Sequence, residues 1–329
     1  MFLKRFLLLF LVFFSGNLFS QDIHFSQFYN TFLTVNPALT GVGATPLRIG
    51  LIYRNQWSSI STPYKTYTGF ADGRFTVKGL YRTWFGVGVS AYNDRAGDGV
   101  LTNSVAALSF SVTQGFNRDN TFLVSMGFST GFLNRSVQLS NLVFDEQWDG
   151  VKFNPALANN EMVNGQSVFA ADFGFGVVVL YEFHGGLKLE AGGSLHHINK
   201  PKTSFYDADN RIDMKMIAHA RMELELQRDL IFAPAAFYSV QANTQEIIFG
   251  GNLLYRFSNL QLIGGLWYRW GRDVIPAVGF NYHLYKFTIT YDVNISGLHP
   301  ASNYQGGVEL SLVKVFRKKT SRYPCSEFK

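Results

Sequence analysis

A few groups of residues in this chain have the types and spacing from which chemistry could be built. His24 stands between Asp22 and Ser26, the three residue types of a hydrolytic triad. Three neighbours on one short segment rarely place nucleophile, base and orienting acid in the geometry that acyl transfer needs, so no catalytic set is expected there. His196 and His197 are adjacent. Successive side chains of a strand point to opposite faces, so the pair is not expected to chelate one metal, and a rim or loop role is expected instead. Asp145, Glu146 and Asp149 flank Trp148 without the spacing of a calcium loop, and read as a solvated acidic loop. The glycines of Gly86-Val87-Gly88 and Gly174-Phe175-Gly176 have no helix after them to cradle a phosphate, and read as strand glycines that permit curvature and close packing. Cys325 is the only cysteine, which excludes a disulfide or a cysteine-based zinc site within one chain. No catalytic, cofactor or metal site is expected.

The elements that carry these residues are strands. From Asp172 to Phe183 a two-residue period puts Phe173, Phe175, Val177, Val179, Tyr181 and Phe183 on one face. Phe287, Ile289, Tyr291 and Val293 share a face in the same way, with Thr288, Thr290, Asp292 and Asn294 on the other. In the last such segment Val308, Leu310, Leu312 and Phe316 line up, with Lys314 interrupting them and expected to snorkel to an interface. A face this apolar and aromatic, repeated from segment to segment, suits a sheet whose outside meets lipid. About fourteen such segments lie between residues 47 and 316, an even number as bacterial single-chain barrels have. The fold expected is all-β: a transmembrane antiparallel β-barrel with a short N-terminal arm or plug. A soluble β-sandwich is the competing fold, disfavoured by composition and strand number.

Composition agrees. Charged residues make up 16% of the 329-residue chain, against about 25% in soluble domains, and aromatics another 16%. After residue 20 no stretch approaches the roughly 18 uncharged apolar residues of a spanning helix. Residues 1–20 read as a secretory signal, with Lys4 and Arg5 before the apolar run Phe6 to Phe14. Removing it lowers the net charge from +6 to about +4, a small excess for a nucleic-acid binder, and no nucleic-acid partner is expected.

The connections alternate in length. Tight links at 116–120, 184–186, 228–229, 258–259 and 284–285 fall after every second strand, and the longest, at 134–167, 199–211 and 297–304, belong to the other set. Outer-membrane barrels have short periplasmic turns and long external loops, so both termini are expected in the periplasm. Residues 21–46 precede the first strand. Here Phe25, Phe28, Tyr29, Phe32 and Leu33 recur at helical spacing until Asn36-Pro37-Ala38 stops the run. This segment reads either as an amphipathic partner-binding arm, through Phe25, Phe28, Tyr29, Asn36 and Pro37, or as a plug packed in the barrel mouth. Past the last strand, residues 317–329 form a basic tail. Its Arg317, Lys318, Lys319 and Arg322, with Cys325, are candidates for a periplasmic hook; headgroup contact is the plainer reading.

Several ordered pieces resemble a known family. Gln21-Asp22-Ile23-His24-Phe25-Ser26-Gln27-Phe28-Tyr29, Val35-Asn36-Pro37-Ala38-Leu39-Thr40-Gly41 and Tyr53-Arg54-Asn55-Gln56-Trp57 look like the PorP/SprF family of Bacteroidetes. Val89-Ser90-Ala91-Tyr92-Asn93-Asp94, Ala233-Pro234-Ala235 and the region from Tyr291-Asp292 to Ser296-Gly297-Leu298 are similar to it as well. Ile23 departs from the proline this resemblance leads one to expect. The resemblance implies a non-enzymatic outer-membrane component of type IX secretion and gliding motility. Its implied partners are outer-membrane lipids, periplasmic ring or peptidoglycan-binding lipoproteins, and a secreted cell-surface adhesin. Two other functions compete. One is a channel for small hydrophobic molecules, like the fatty-acid uptake barrels that also carry an Asn-Pro-Ala plug. The other is a lipase, for which no paired serine and histidine is legible.

Overall fold

A backbone that crosses lipid must satisfy every amide and carbonyl within the protein, which strands achieve only by closing on themselves. The computed structural model describes residues 22–316, apart from 44–45, 60–61, 98, 140–141, 143, 155, 158–166 and 206–208. The expected signal at 1–20 and the tail candidates Arg317, Lys318, Lys319, Arg322 and Cys325 lie outside the described residues.

The first seven strands are β1 (Leu47–Gln56), β2 (Tyr64–Phe75), β3 (Thr83–Ala96), β4 (Leu101–Gly115), β5 (Phe122–Ser136), β6 (Ser167–Glu182) and β7 (Lys188–His196). They continue with β8 (Lys215–Gln227), β9 (Leu230–Gln241), β10 (Thr244–Phe257), β11 (Leu260–Arg269), β12 (Asp273–Tyr282), β13 (Tyr285–Asn294) and β14 (Gln305–Phe316). Each strand pairs antiparallel with its sequence neighbours, and β1 pairs with β14 from Leu47↔Phe316 to Gln56↔Gly307, closing a fourteen-stranded barrel. Among the described residues no helix is long and apolar enough to cross a membrane; the strands do so.

The alternation read from sequence sets the two faces. Leu51, Phe128, Phe175, Leu266 and Val278 are exposed on the outside, whereas Thr288, Thr290 and Asp292 beside them in the wall are buried inside. Aromatic pairs ring both ends. Trp57 and Tyr64 pack edge to face, 5.6 Å apart, at one end, and Phe116 and Phe122 lie 5.5 Å apart at the other. Such girdles belong at membrane–water interfaces. Lys314 extends its ammonium over the rings of Tyr285 and Phe316, at 4.8 and 4.9 Å, the interfacial posture expected of it.

Tight connections such as 228–229 and 258–259 fall at the end where β1 begins and β14 finishes; the long ones, 137–166 and 197–214, fall at the other. The short links at 242–243 and 270–272 lie at the long-connection end.

Candidate functional site: the plugged lumen

The segment before β1 runs through the inside of the barrel. It is not a continuous amphipathic helix. A 3-10 turn at Phe28–Asn30, a single α-helical turn, α1 (Phe32–Val35), and a second 3-10 turn at Pro37–Leu39 follow one another. The helical spacing of its aromatics is real, but the segment is enclosed on all sides, so its polar residues are buried too. Ser26, Gln27, Asn30, Asn36 and Thr40 have no exposed surface, and a buried polar group must find a partner.

The partners come from two parts of the wall. At the long-connection end, Ser26 and Gln27 sit on a charged cluster. The Ser26 and Gln27 amides donate to the two carboxylate oxygens of Glu309, at 2.6 and 2.9 Å. The Ser26 hydroxyl donates to Asp292 at 2.6 Å and accepts from Arg269 at 2.7 Å. Arg54 bridges Glu309 and Asp292, the latter at 3.0 Å, and Arg269 reaches Asp292 at 3.1 Å and Asp273 at 2.5 Å. These side chains come from β1, β11, β12, β13 and β14, and they meet because inward positions alternate in register across the closing seam. Beyond them Phe28 packs on Phe237 at 5.2 Å, and Tyr29 stacks on Trp267 at 4.8 Å.

Toward the tight-turn end the plug lies on β3–β6, and the contact is through backbone. A Cβ on Gly127 would fall 2.4 Å from the Pro37 carbonyl carbon and the Ala38 nitrogen, and one on Gly86 would fall 2.2 Å from the Thr40 oxygen. Only glycine lets the two backbones come this close. The plug carbonyls are taken up by wall hydroxyls: Ser125 donates to Ala38 at 2.7 Å, Ser111 to Thr40 at 2.6 Å, and Ser194 of β7 to Val35 at 2.6 Å. The Asn36 side chain caps the turn by accepting from the Ala38 amide at 2.9 Å, and its amide group donates to the Val177 and Gly193 carbonyls. The Gly41 amide donates to Asp72, which also holds Arg48.

The structure therefore places Phe25, Phe28, Tyr29, Asn36 and Pro37 together inside the lumen, where their surfaces are covered by the barrel. Asp22, His24 and Ser26 do not form a triad. Asp22 faces His197 and Lys215, His24 faces Arg54, and Ser26 joins the charged cluster. The two histidines depart from expectation. His197 sits just past β7 with φ of 55°, and this left-handed turn swings its ring inward rather than to the opposite face. His196 meets the Val35 carbonyl at 3.2 Å, while His197 meets Asp172 at 2.8 Å and Asp22 at 3.4 Å. Both serve the plug, and the described residues hold no cluster suited to a metal.

Asp22, His197, Asp172 and Lys215 form a latch where the plug begins. Burial disfavours the charge on Asp22, yet Lys215 and His197 hold its carboxyl well below the usual range. Burial likewise opposes the imidazolium of His197, but Asp172 and Asp22 outweigh it and raise the group to about 9. Burial, reinforced by Arg54 and Arg269, pushes His24 well below its ordinary value, so it is neutral.

Asp22 contacts β3, β8 and β9 near the barrel end at which the longest connections lie, whereas β14 ends at the tight turns. The described chain thus begins and ends at opposite ends of the barrel. The expectation of both termini in the periplasm concerns segments that lie outside the described residues.

A closed, even-stranded antiparallel barrel with aromatic girdles and an inserted N-terminal plug defines a β-barrel membrane protein of the outer-membrane type. The toluene transporter TbuX of Ralstonia pickettii has a similar fold, with a TM-score of 0.53 and 11% identity over 88% of this chain and 94% of that one. The CymD monoaromatic hydrocarbon channel is similar to the same extent, with a TM-score of 0.52 and 13% identity over 88% and 94%. At these identities the likeness concerns the fold. No curated protein sequence matches the chain. Residues 17–313 match the family described as type IX secretion system membrane protein PorP/SprF, and the chain belongs to that family.

Proposed function

We propose that this protein is a non-enzymatic outer-membrane component of the type IX secretion and gliding machinery. In this reading it fixes a site in the membrane at which periplasmic ring proteins are anchored, or supports export and surface attachment of a secreted adhesin. The observation that carries the reading is the family match along nearly the whole chain, joined to a lumen occupied by its own N-terminal segment. A barrel filled in this way suits a scaffold better than a pore. The tight-turn end, where β14 finishes, faces the periplasm in this reading, and Asp22 lies toward the external loops. Pull-down from detergent extracts tests it: periplasmic ring lipoproteins or the adhesin are expected to co-purify. Deleting residues 317–329 is expected to leave heat-modifiable migration on gels unchanged while weakening that association. Co-purification that survives the deletion unchanged removes the tail from the account.

The runner-up is a channel for small hydrophobic molecules, favoured by a partly apolar cavity of about 450 Å³ between plug and wall. Uptake of a hydrophobic compound by vesicles containing the purified protein would support it over the scaffold.

A further inference from the structure

The plug does not fill the lumen evenly. Near the tight turns it lies against β3–β6, and the opposite side, along β7, β8, β10–β14 and Arg48 of β1, keeps the cavity of about 450 Å³. This is a size ordinary for small-molecule sites. Arg256, Ser258, Asn259 and His283 at its rim are exposed, so it opens at the tight-turn end, and Tyr29 and Phe32 of the plug stand across it.

One wall of this cavity is a polar row. Arg256 of β10 pairs in register with Gln261 of β11, Gln261 with Asn281 of β12, and Asn281 with Lys286 of β13. All four line the cavity. Neighbouring strands lie about 4.8 Å apart, so the row spans roughly 14 Å between two cations, with an amide pair in the middle joined at 2.7 Å. Beyond Lys286 the wall turns apolar at Val313 and Val315, and Leu39 and Val42 of the plug continue that surface.

The charges are not all matched. Arg48 is paired with Asp72, and Arg221 with Glu190 and Glu223. Among the described residues neither Arg256 nor Lys286 has a carboxylate within ion-pair distance; Lys286 rests 5.4 Å from the centre of the Tyr29 ring. The one carboxylate among the described residues lining the cavity, Glu190, is engaged by Arg221, so Arg256 and Lys286 leave an excess of positive charge that favours an anion, and the adjoining apolar wall favours a hydrocarbon tail on it. The chain's own residues 317–329 are a poor occupant, since Arg317, Lys318, Lys319 and Arg322 carry the same sign.

The geometry points to a binding site for a carboxylate-bearing amphiphile, its headgroup on the Arg256–Gln261–Asn281–Lys286 row and its tail against Val313, Val315 and the plug. The plug stands between this site and the long-connection end, so the ligand arrives from the tight-turn side and is held there. This goes beyond the scaffold reading and does not depend on it: co-purification of partners and retention of a ligand are separate measurements.

Native mass spectrometry of the full-length barrel, released from a non-ionic detergent, tests the site with dodecanoate, with dodecanol as the uncharged probe and acetate as the tail-less one. One dodecanoate per barrel is expected, with dodecanol and acetate each retained at least tenfold more weakly. Two variants follow, both checked for folding by heat-modifiable migration. The double variant Arg256→Gln with Lys286→Gln removes both cations, and Gln261→Glu sets a negative charge beside the headgroup while keeping them. Each is expected to weaken dodecanoate retention at least tenfold. Equal retention of dodecanoate and dodecanol, retention of acetate as tight as that of dodecanoate, or variants that bind like the parent would overturn the proposal.

Discussion

The two halves of the plug are held by opposite means. Ser26 and Gln27 rest on charges brought together from five strands: Arg54, Arg269, Asp273, Asp292 and Glu309. Pro37 to Thr40 rest on a wall stripped of side chains, where Gly86 and Gly127 admit the backbone and Ser111 and Ser125 receive its carbonyls. The first arrangement depends on charge balance and tolerates small shifts of geometry; the second depends chiefly on shape, with the Arg48–Asp72 pair holding the Leu39 carbonyl and the Gly41 amide beside it. Immobilising a chain inside a polar lumen without a hydrophobic core of ordinary size requires both. Charges orient the start of the segment, and close backbone contact fixes its far end.

This contrast can be broken from either side. The largest effect is expected from Arg269→Met, which leaves Asp273 without its ion-pair partner and Asp292 with Arg54 alone; losing one partner of such a network costs about 3 to 5 kcal/mol. Urea-induced unfolding in lipid vesicles measures it, and Arg269→Met combined with Asp273→Asn is expected to recover part of the loss. On the glycine wall, Gly127→Val forces a branched side chain into the plug backbone, with an expected cost of about 3 kcal/mol. That loss is expected to be insensitive to pH, unlike the first. Asn36→Ala removes a cap and two further hydrogen bonds, leaving the Val177 and Gly193 carbonyls short of a donor, with an expected cost of about 1 to 2 kcal/mol.

The smallest effect sharpens the comparison by pH. His197 titrates near 9 in the folded protein, raised from its ordinary value by Asp172 and Asp22. A group raised on folding contributes its full stabilisation below its unfolded pKa of about 6.5 and loses it as pH rises through the folded value. Hydrogen-exchange protection of the amides at 22–31, corrected for the intrinsic pH dependence, is therefore expected to fall between pH 7 and 10. The amides at 36–41 should keep theirs, and His197→Gln should flatten the change at 22–31. Equal loss in both halves would show that the latch does not act locally.

The barrel was legible in the sequence because its faces alternate in strand after strand. Phe175 and Tyr181 point outward, and Thr288 and Thr290 inward, as their spacing requires. The plug was legible only as an aromatic segment ahead of the strands, with arm and plug left open, because helical spacing says which residues share a face and not what covers it. Arg54, Arg269 and Glu309 were passed over, although each occupies an inward position of a lipid-facing strand, where a charge needs a counter-charge close by. That signal was available. The seat of the plug was not: Gly86 reads only as a strand glycine and Gly127 carries no signal of its own, until the register brings Thr40 and Pro37 against them. His197 escaped for a local reason, since a residue with positive φ at a strand end abandons the alternation from which its direction was inferred.

The central claim is that residues 22–43 occupy the lumen rather than reaching out from it. A Thr31→Cys variant in a Cys325→Ser background, folded in detergent and exposed to a small maleimide, tests this directly. The account predicts that the thiol is protected while the barrel is folded and reacts fully once it is denatured, because Thr31 is buried within the plug. Labelling of folded protein as fast as that of the denatured chain would contradict it.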